Sequence, residues 1–147
     1  MEKLNLPEYE LVLKETSDGK EVWDPVRKKY LVLTPEEWVR QNFLNFLIND
    51  LGYPLSLIRN EGGLKYNGRQ KRTDILAYGN DGLPLILVEC KATTVKISSD
   101  VFEQASVYNK ELKSKYLIVT NGLQHFCCEQ NFSTGDVTFL ESIPKYQ

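Results

Sequence analysis

The sequence predicts an α/β fold in which helices flank a central mixed β-sheet, and three observations lead there. Apolar runs at 72–78 and 83–88 stand either side of the turn formers Gly79-Asn80-Asp81-Gly82, which reads as a β-hairpin. Helix-start signals occur before that hairpin, at Thr34-Pro35-Glu36-Glu37, and after it, at Ser98-Ser99-Asp100. A β-branched run at 116–120 follows the second helix, and strand, helix, strand in succession implies a right-handed crossover, hence a mixed sheet with helices on its faces.

Taken in order, residues 1–33 offer short strands at 9–14 and 30–33 around the turn-like Ser17-Asp18-Gly19-Lys20. The stretch 23–30 is polar and basic, and Pro25 excludes it as a central strand. Thr34 is placed to cap a helix with Pro35 in its first turn and Glu37 completing a capping box. Trp38, Val39, Phe43, Phe46, Leu47 and Leu51 recur at helical spacing, and Gly52 supplies the stop. A short strand at 55–59 leads through Gly62-Gly63 into a basic loop and then the hairpin. The second helix should run from the 98–100 caps to about Lys113 with Val101, Ala105, Tyr108 and Leu112 as its apolar stripe. Strands at 116–120, 124–129 and 137–140 close the chain, the first ended by Asn121-Gly122.

A length of 147 residues fits one domain with a core of useful size, read here as 1–33, N-terminal strands and loop, and 34–147, the core. No apolar run approaches a membrane span and the N-terminus lacks a signal peptide's apolar centre, so a cytoplasmic chain with no membrane partner is expected. Cys90, Cys127 and Cys128 are odd in number and have no zinc-ligand spacing, so they read as structural thiols in apolar strands. The net charge of −2 argues against coating nucleic acid through bulk electrostatics. Lys65, Arg69, Lys71 and Arg72 nevertheless put four positive charges into eight residues, either as a solvated loop or as phosphate contacts.

The chemistry concentrates at the hairpin. A four-residue loop at 80–83 sets Gly79 opposite Pro84 and brings Asp74 directly across from Glu89, and period-two alternation puts Lys91 on the same face. Opposed carboxylates about 4.5–5.5 Å apart at Cβ repel and destabilise a sheet. A cation reverses the sign, and magnesium is a hard ion often held by one or two carboxylates plus phosphate and water. Lys91 would add a positive charge near that water or phosphate, so the hairpin looks like a metal site for phosphodiester hydrolysis. The blander reading is a surface Glu89–Lys91 pair with Asp74 merely starting a strand. Glu37 is likewise accounted for by its capping box, and Tyr108 and Gln104, neighbours on the second helix, by core and solvent. His125 has no Ser, Cys or second His at a convincing spacing and receives no catalytic role.

Asp74 with Glu89-x-Lys91 on a hairpin, in this element order, resembles the PD-(D/E)xK nuclease fold of many restriction endonucleases. More narrowly, Trp23-Asp24-Pro25-Val26-Arg27-Lys28-Lys29-Tyr30, Leu33-Thr34-Pro35-Glu36-Glu37-Trp38-Val39-Arg40-Gln41, Arg72-Thr73-Asp74-Ile75, Val88-Glu89-Cys90-Lys91-Ala92 and Val119-Thr120-Asn121-Gly122 resemble the N-terminal nuclease domain of the type I restriction enzyme R subunit. The resemblance implies a restriction-endonuclease-like α/β/α core and a magnesium-dependent DNA endonuclease, manganese substituting. By position it makes Asp74, Glu89 and the Cys90 carbonyl metal ligands and Lys91 the catalytic lysine. It makes Glu37, or Glu36 beside it, a further acid, and Gln104-x3-Tyr108 the supporting QxxxY motif. R subunits carry an ATP-driven translocase after this domain, whereas this sequence has no Walker-type GxxxxGK[ST] and so no ATP site. Lys65, Arg69, Lys71 and Arg72 are then the candidate DNA contacts. The partners implied are DNA and motor, methylation or specificity subunits, or a second copy. A non-cleaving docking or DNA-binding module of the same fold is the alternative.

Overall fold

The computed structural model describes residues 2–59, 65–66, 69–70 and 74–147, with 65, 66, 69, 70 and Asp74 described by their backbone only. An N-terminal meander of β1 (Leu13–Thr16), β2 (Gly19–Asp24) and β3 (Lys29–Val32) precedes α1 (Pro35–Asn45). After it come β4 (Ile58–Arg59), β5 (Lys65–Tyr66), β6 (Arg69–Gln70), β7 (Asp74–Tyr78), β8 (Pro84–Cys90), α2 (Ser99–Leu112), β9 (Tyr116–Thr120), β10 (His125–Gln130) and β11 (Val137–Leu140). The main sheet has the order β11-β10-β9-β8-β7-β4, with β8 and β9 parallel across the α2 crossover and the other pairs antiparallel. The expected mixed sheet with helices on its faces is therefore the architecture observed.

Strict alternation along the central strands divides the core. Ile75, Ala77, Ile86, Val88, Cys90 and Ile118 pack with Val39, Phe43, Leu44 and Leu47 of the α1 layer. Their neighbours Leu76, Leu87, Leu117, Val119 and Cys128 pack with Ala105 and Tyr108 of α2. Both faces of β8 are covered, which is why its sequence is a continuous apolar run. Burial raises the Cys127 thiol to about 12 and the Cys128 thiol to about 11, as expected of structural cysteines. No helix among the described residues is long and apolar enough to cross a membrane.

Several local expectations are corrected. The meander contains β2, which sequence reading passed over; its residues Glu21, Trp23 and Asp24 do not alternate cleanly, yet Val22 and Asp24 are fully buried. Pro25 lies just past its end, where its missing N–H breaks no ladder. The first strand starts only at Leu13, and Tyr9 before it donates its hydroxyl to Asp50 at 2.5 Å. α1 gives way to a π-helical turn at Phe46–Asp50 before Gly52 reverses the chain at φ +78°. Residues 55–57 form a 3-10 turn in place of the expected strand, leaving Ile58–Arg59 alone to pair with β7.

Candidate active site at the end of the hairpin

The hairpin brings the predicted acids into register. Asp74 is the backbone partner of Glu89, followed by Ile75 with Val88, Leu76 with Leu87 and Ala77 with Ile86. The turn end differs from expectation: a bulge shifts the ladder so that Tyr78, not Gly79, pairs with Pro84. Gly79 N–H donates instead to the Leu83 carbonyl at 2.9 Å, and Gly82, at φ +82°, closes the turn. Proline has no N–H for the ladder, so the bulge absorbs the mismatch at the loop and leaves the acid register intact.

Glu89 occupies the α2-facing row of β8, next along from Leu87, and is only 3% exposed. Its parallel partner on β9 is Val119, itself fully buried. Lys91 Nζ lies 3.2 Å from Glu89 Oε1, with the lysine side chain 30% exposed. The lysine backbone is held as well, since Lys91 N–H donates to the Thr120 carbonyl at 2.8 Å. A surface ion pair does not describe this arrangement. One carboxylate has been taken out of water at the end of the most apolar strand, where desolvation is expensive unless charge and hydrogen bonds compensate.

The α1 layer carries a second, buried polar group that meets Glu37. Thr34 caps the helix by accepting from Glu37 N–H at 3.1 Å, but the capping box stays half formed. Thr34 N–H bonds the Val32 carbonyl, so the Glu37 carboxylate is not needed there. It turns to Arg40 Nη1 at 3.2 Å and to Gln41, whose Nε2–H donates to Oε2 at 3.1 Å. Arg40 also reaches Asp24 of β2 at 2.9 Å, and Arg27 pairs with the same Asp24 oxygen at 3.0 Å. Burial alone would push the Asp24 carboxyl up, yet Arg40 and the N–H groups of Val26 and Arg27 together hold it below the usual carboxylate range. Burial likewise works against the Arg40 charge, but Glu37 and Asp24 outweigh it and raise that group. Cys90, the residue between Glu89 and Lys91, lies in the same core cluster as Val39 and Phe43 of α1, so the α1 layer covers the end of β8 from that side.

Of the remaining expected residues, Tyr108 is buried in the α2 core, on the Glu89 side of the sheet, and Gln104 is exposed one turn earlier on α2. Glu36 is exposed, whereas Glu37 is buried, which separates the two. Lys65 and Arg69 lie on the β5–β6 ladder, and Lys71 and Arg72 fall outside the described residues. Sequence reading missed Asp24 and Arg40. A signal for Arg40 existed, because positions 37, 40, 41 and 44 share one helix face and Leu44 on it is apolar.

The donor set suits a hard divalent cation: a buried carboxylate at Glu89, an aspartate in register opposite and no thiolate or imidazole in that row. Among the described residues alone, which exclude the Asp74 side chain, no group of three His, Cys, Asp or Glu comes together.

Residues 35–144 match the protein family described as the type I restriction enzyme R protein N terminus. Among solved structures, the chain is similar to a fragment assigned as an HsdR subunit of a type I restriction enzyme from Vibrio vulnificus YJ016, at 25% identity and a TM-score of 0.52. That likeness covers 77% of this chain and 24% of the other, so this chain spans about a quarter of that relative's length. No curated protein matches.

Proposed function

This chain belongs to the family of the type I restriction enzyme R protein N terminus, and on that premise we propose that it is a magnesium-dependent DNA endonuclease unit of the PD-(D/E)xK kind. The observation that carries the reading is the buried Glu89 carboxylate, paired by register with Asp74 and by contact with Lys91. Asp74, Glu89 and the Cys90 carbonyl would hold the ion, and manganese would serve in its place. When bound, magnesium polarises the scissile phosphate and lowers the pKa of a coordinated water.

The chain's own groups do the rest. Lys91, with three N–H donors and no lone pair while protonated, orients the attacking water and offsets charge building on the phosphate oxygens. Glu37 supports the site from α1, and Tyr108 with Gln104 from α2. Lys65, Arg69, Lys71 and Arg72 supply phosphate contacts that position DNA without reading its sequence. The partners proposed are DNA and the other subunits of a type I restriction system.

The test is incubation of the purified chain with supercoiled DNA in magnesium, manganese or chelator, beside Asp74→Ala. Nicking that needs the metal and disappears in the variant is expected. Binding without nicking in every condition would replace the enzyme with a docking module of the same fold.

A further inference from the structure

The buried group around Glu37 reaches outside residues 35–144, the stretch matched to the family. Asp24 stands on β2, before residue 35, and is fully buried, as is Arg40 at 1% exposure. One oxygen of Asp24 takes both Arg27 and Arg40, and its other oxygen accepts from Val26 N–H at 2.8 Å. Asp24 therefore has a fixed orientation, and it passes that orientation to the Arg40 guanidinium. Arg40 in turn contacts Glu37, and Gln41 grips the same Glu37 oxygen from the next helical position.

A buried ion-pair group of this kind is a costly way to join a meander to a helix, since apolar packing would serve as well. A second observation indicates what the group is for. Gln41 is 1% exposed, and its Oε1 is buried without a hydrogen-bond partner among the described residues. Turning the amide round would only set that oxygen against the Glu37 carboxylate. An acceptor left open beside a held carboxylate is complementary to one more donor, such as a water molecule of the cation site.

Resting on the nuclease reading above, we infer that Asp24 and Gln41 are positioning residues for Glu37, so that the N-terminal meander is a working part of the metal site. Asp24 acts through Arg40, which fixes Glu37 on the helix whose Val39 and Phe43 share a core cluster with Cys90 at the end of β8. Gln41 fixes Glu37 directly and offers its open acceptor to water. Groups that orient a ligand in this way typically change metal affinity or activity by about 10–100-fold when removed.

The experiment uses the full chain labelled with 15N, titrated with manganese and magnesium. Paramagnetic broadening is followed at the Glu89 amide and at the Gln41 side-chain NH2, and magnesium affinity is measured by calorimetry for the parent, Asp24→Asn and Gln41→Met. The result expected is broadening at both places in the parent, and magnesium affinity about tenfold weaker in both variants while their circular dichroism stays native. Gln41→Met keeps the size and leaves the Asp24–Arg40 pair alone, so it reports even where Asp24→Asn fails to fold. Broadening at Glu89 that spares Gln41, or parental affinity in the folded variants, would overturn the inference and leave the nuclease reading standing. Broadening at neither place would remove the cation site itself, and the inference with it.

Discussion

At the scale of single residues, Glu89 and Glu37 are the two acids that the structure buries among the proposed site residues. Glu89 is buried and its lysine partly exposed, so the pair is not a fully solvated surface ion pair. Lys91→Ala should leave cation binding intact or slightly tighter, because a nearby positive charge is gone, while cleavage falls on the order of 10²–10³-fold. The check is calorimetric metal titration beside single-turnover cleavage, and cleavage at the parent rate would return Glu89-x-Lys91 to an ion pair. For Glu37, the sequence offered a capping box as sufficient reason, and the structure removes it by bonding Thr34 N–H to Val32. Glu37→Gln therefore leaves the helix cap untouched, since Thr34 needs only the backbone N–H of residue 37. The variant should keep its helix content by circular dichroism yet lose at least about tenfold in metal-dependent cleavage, the effect expected for a group that supports a metal site. Full activity would take Glu37 out of the site.

At the scale of elements, what could be read beforehand was whatever rested on local chemistry. Ser98 caps α2 and the helix ends at Lys113, as the cap cluster and the apolar stripe implied, and Lys113 itself takes the left-handed conformation. The hairpin register followed from turn residues and alternation, and only the bulge at Pro84 escaped. β2 escaped in part because Asp24 looks like a turn residue until Arg40 of α1 arrives from 16 positions away. The β9–β10 turn is another such case. Gly122, at φ +87°, lies under Leu4, whose Cδ2 would be 2.8 Å from any added Cβ, and Gly122 O accepts from Asn5 N–H. His125 completes this tie. Its Nε2–H donates to the Asn5 carbonyl at 2.9 Å, and its Nδ1 shares a hydrogen bond with the Thr120 hydroxyl at 2.6 Å. Burial lowers its pKa, the bond to Asn5 opposing only in part. A histidine depressed in the folded state contributes stability that is complete above its unfolded value, about 6.5, and is lost as pH falls toward the folded one. The melting temperature should accordingly drop between pH 7.5 and pH 5 by more in the parent than in His125→Gln. Equal slopes in the two proteins would show that the imidazole is not responsible.

At the scale of the whole molecule, the proposed function requires a chain of net charge −2 and isoelectric point near 5.5 to hold a polyanion. Both faces of the main sheet are occupied by core, and Glu89 lies where β8 ends. Composition could not reveal that placement; only the register of β7 against β8 does, and the register was legible. What was not legible is the arm from the meander, because no sequence spacing ties Asp24 to Arg40. On the nuclease reading proposed above, DNA at such a site would meet two acids on the chain, so compensating charge would have to come from nearby, and the proposed source is Lys65, Arg69, Lys71 and Arg72, which precede β7 in the sequence. Each phosphate neutralised by such a side chain releases condensed counterions, and log Kobs falls against log salt with a slope of about −0.9 per contact on duplex DNA. Replacing Arg69 and Lys71 together by Ala should therefore weaken binding alike for unrelated sequences and make the slope shallower by about 2. Sequence independence matters as much as the loss, because contacts to base edges would instead weaken some sequences more than others. Fluorescence anisotropy on two unrelated duplexes across a salt series measures both quantities, and unchanged affinity with an unchanged slope would make the segment a solvated face with no part in holding DNA.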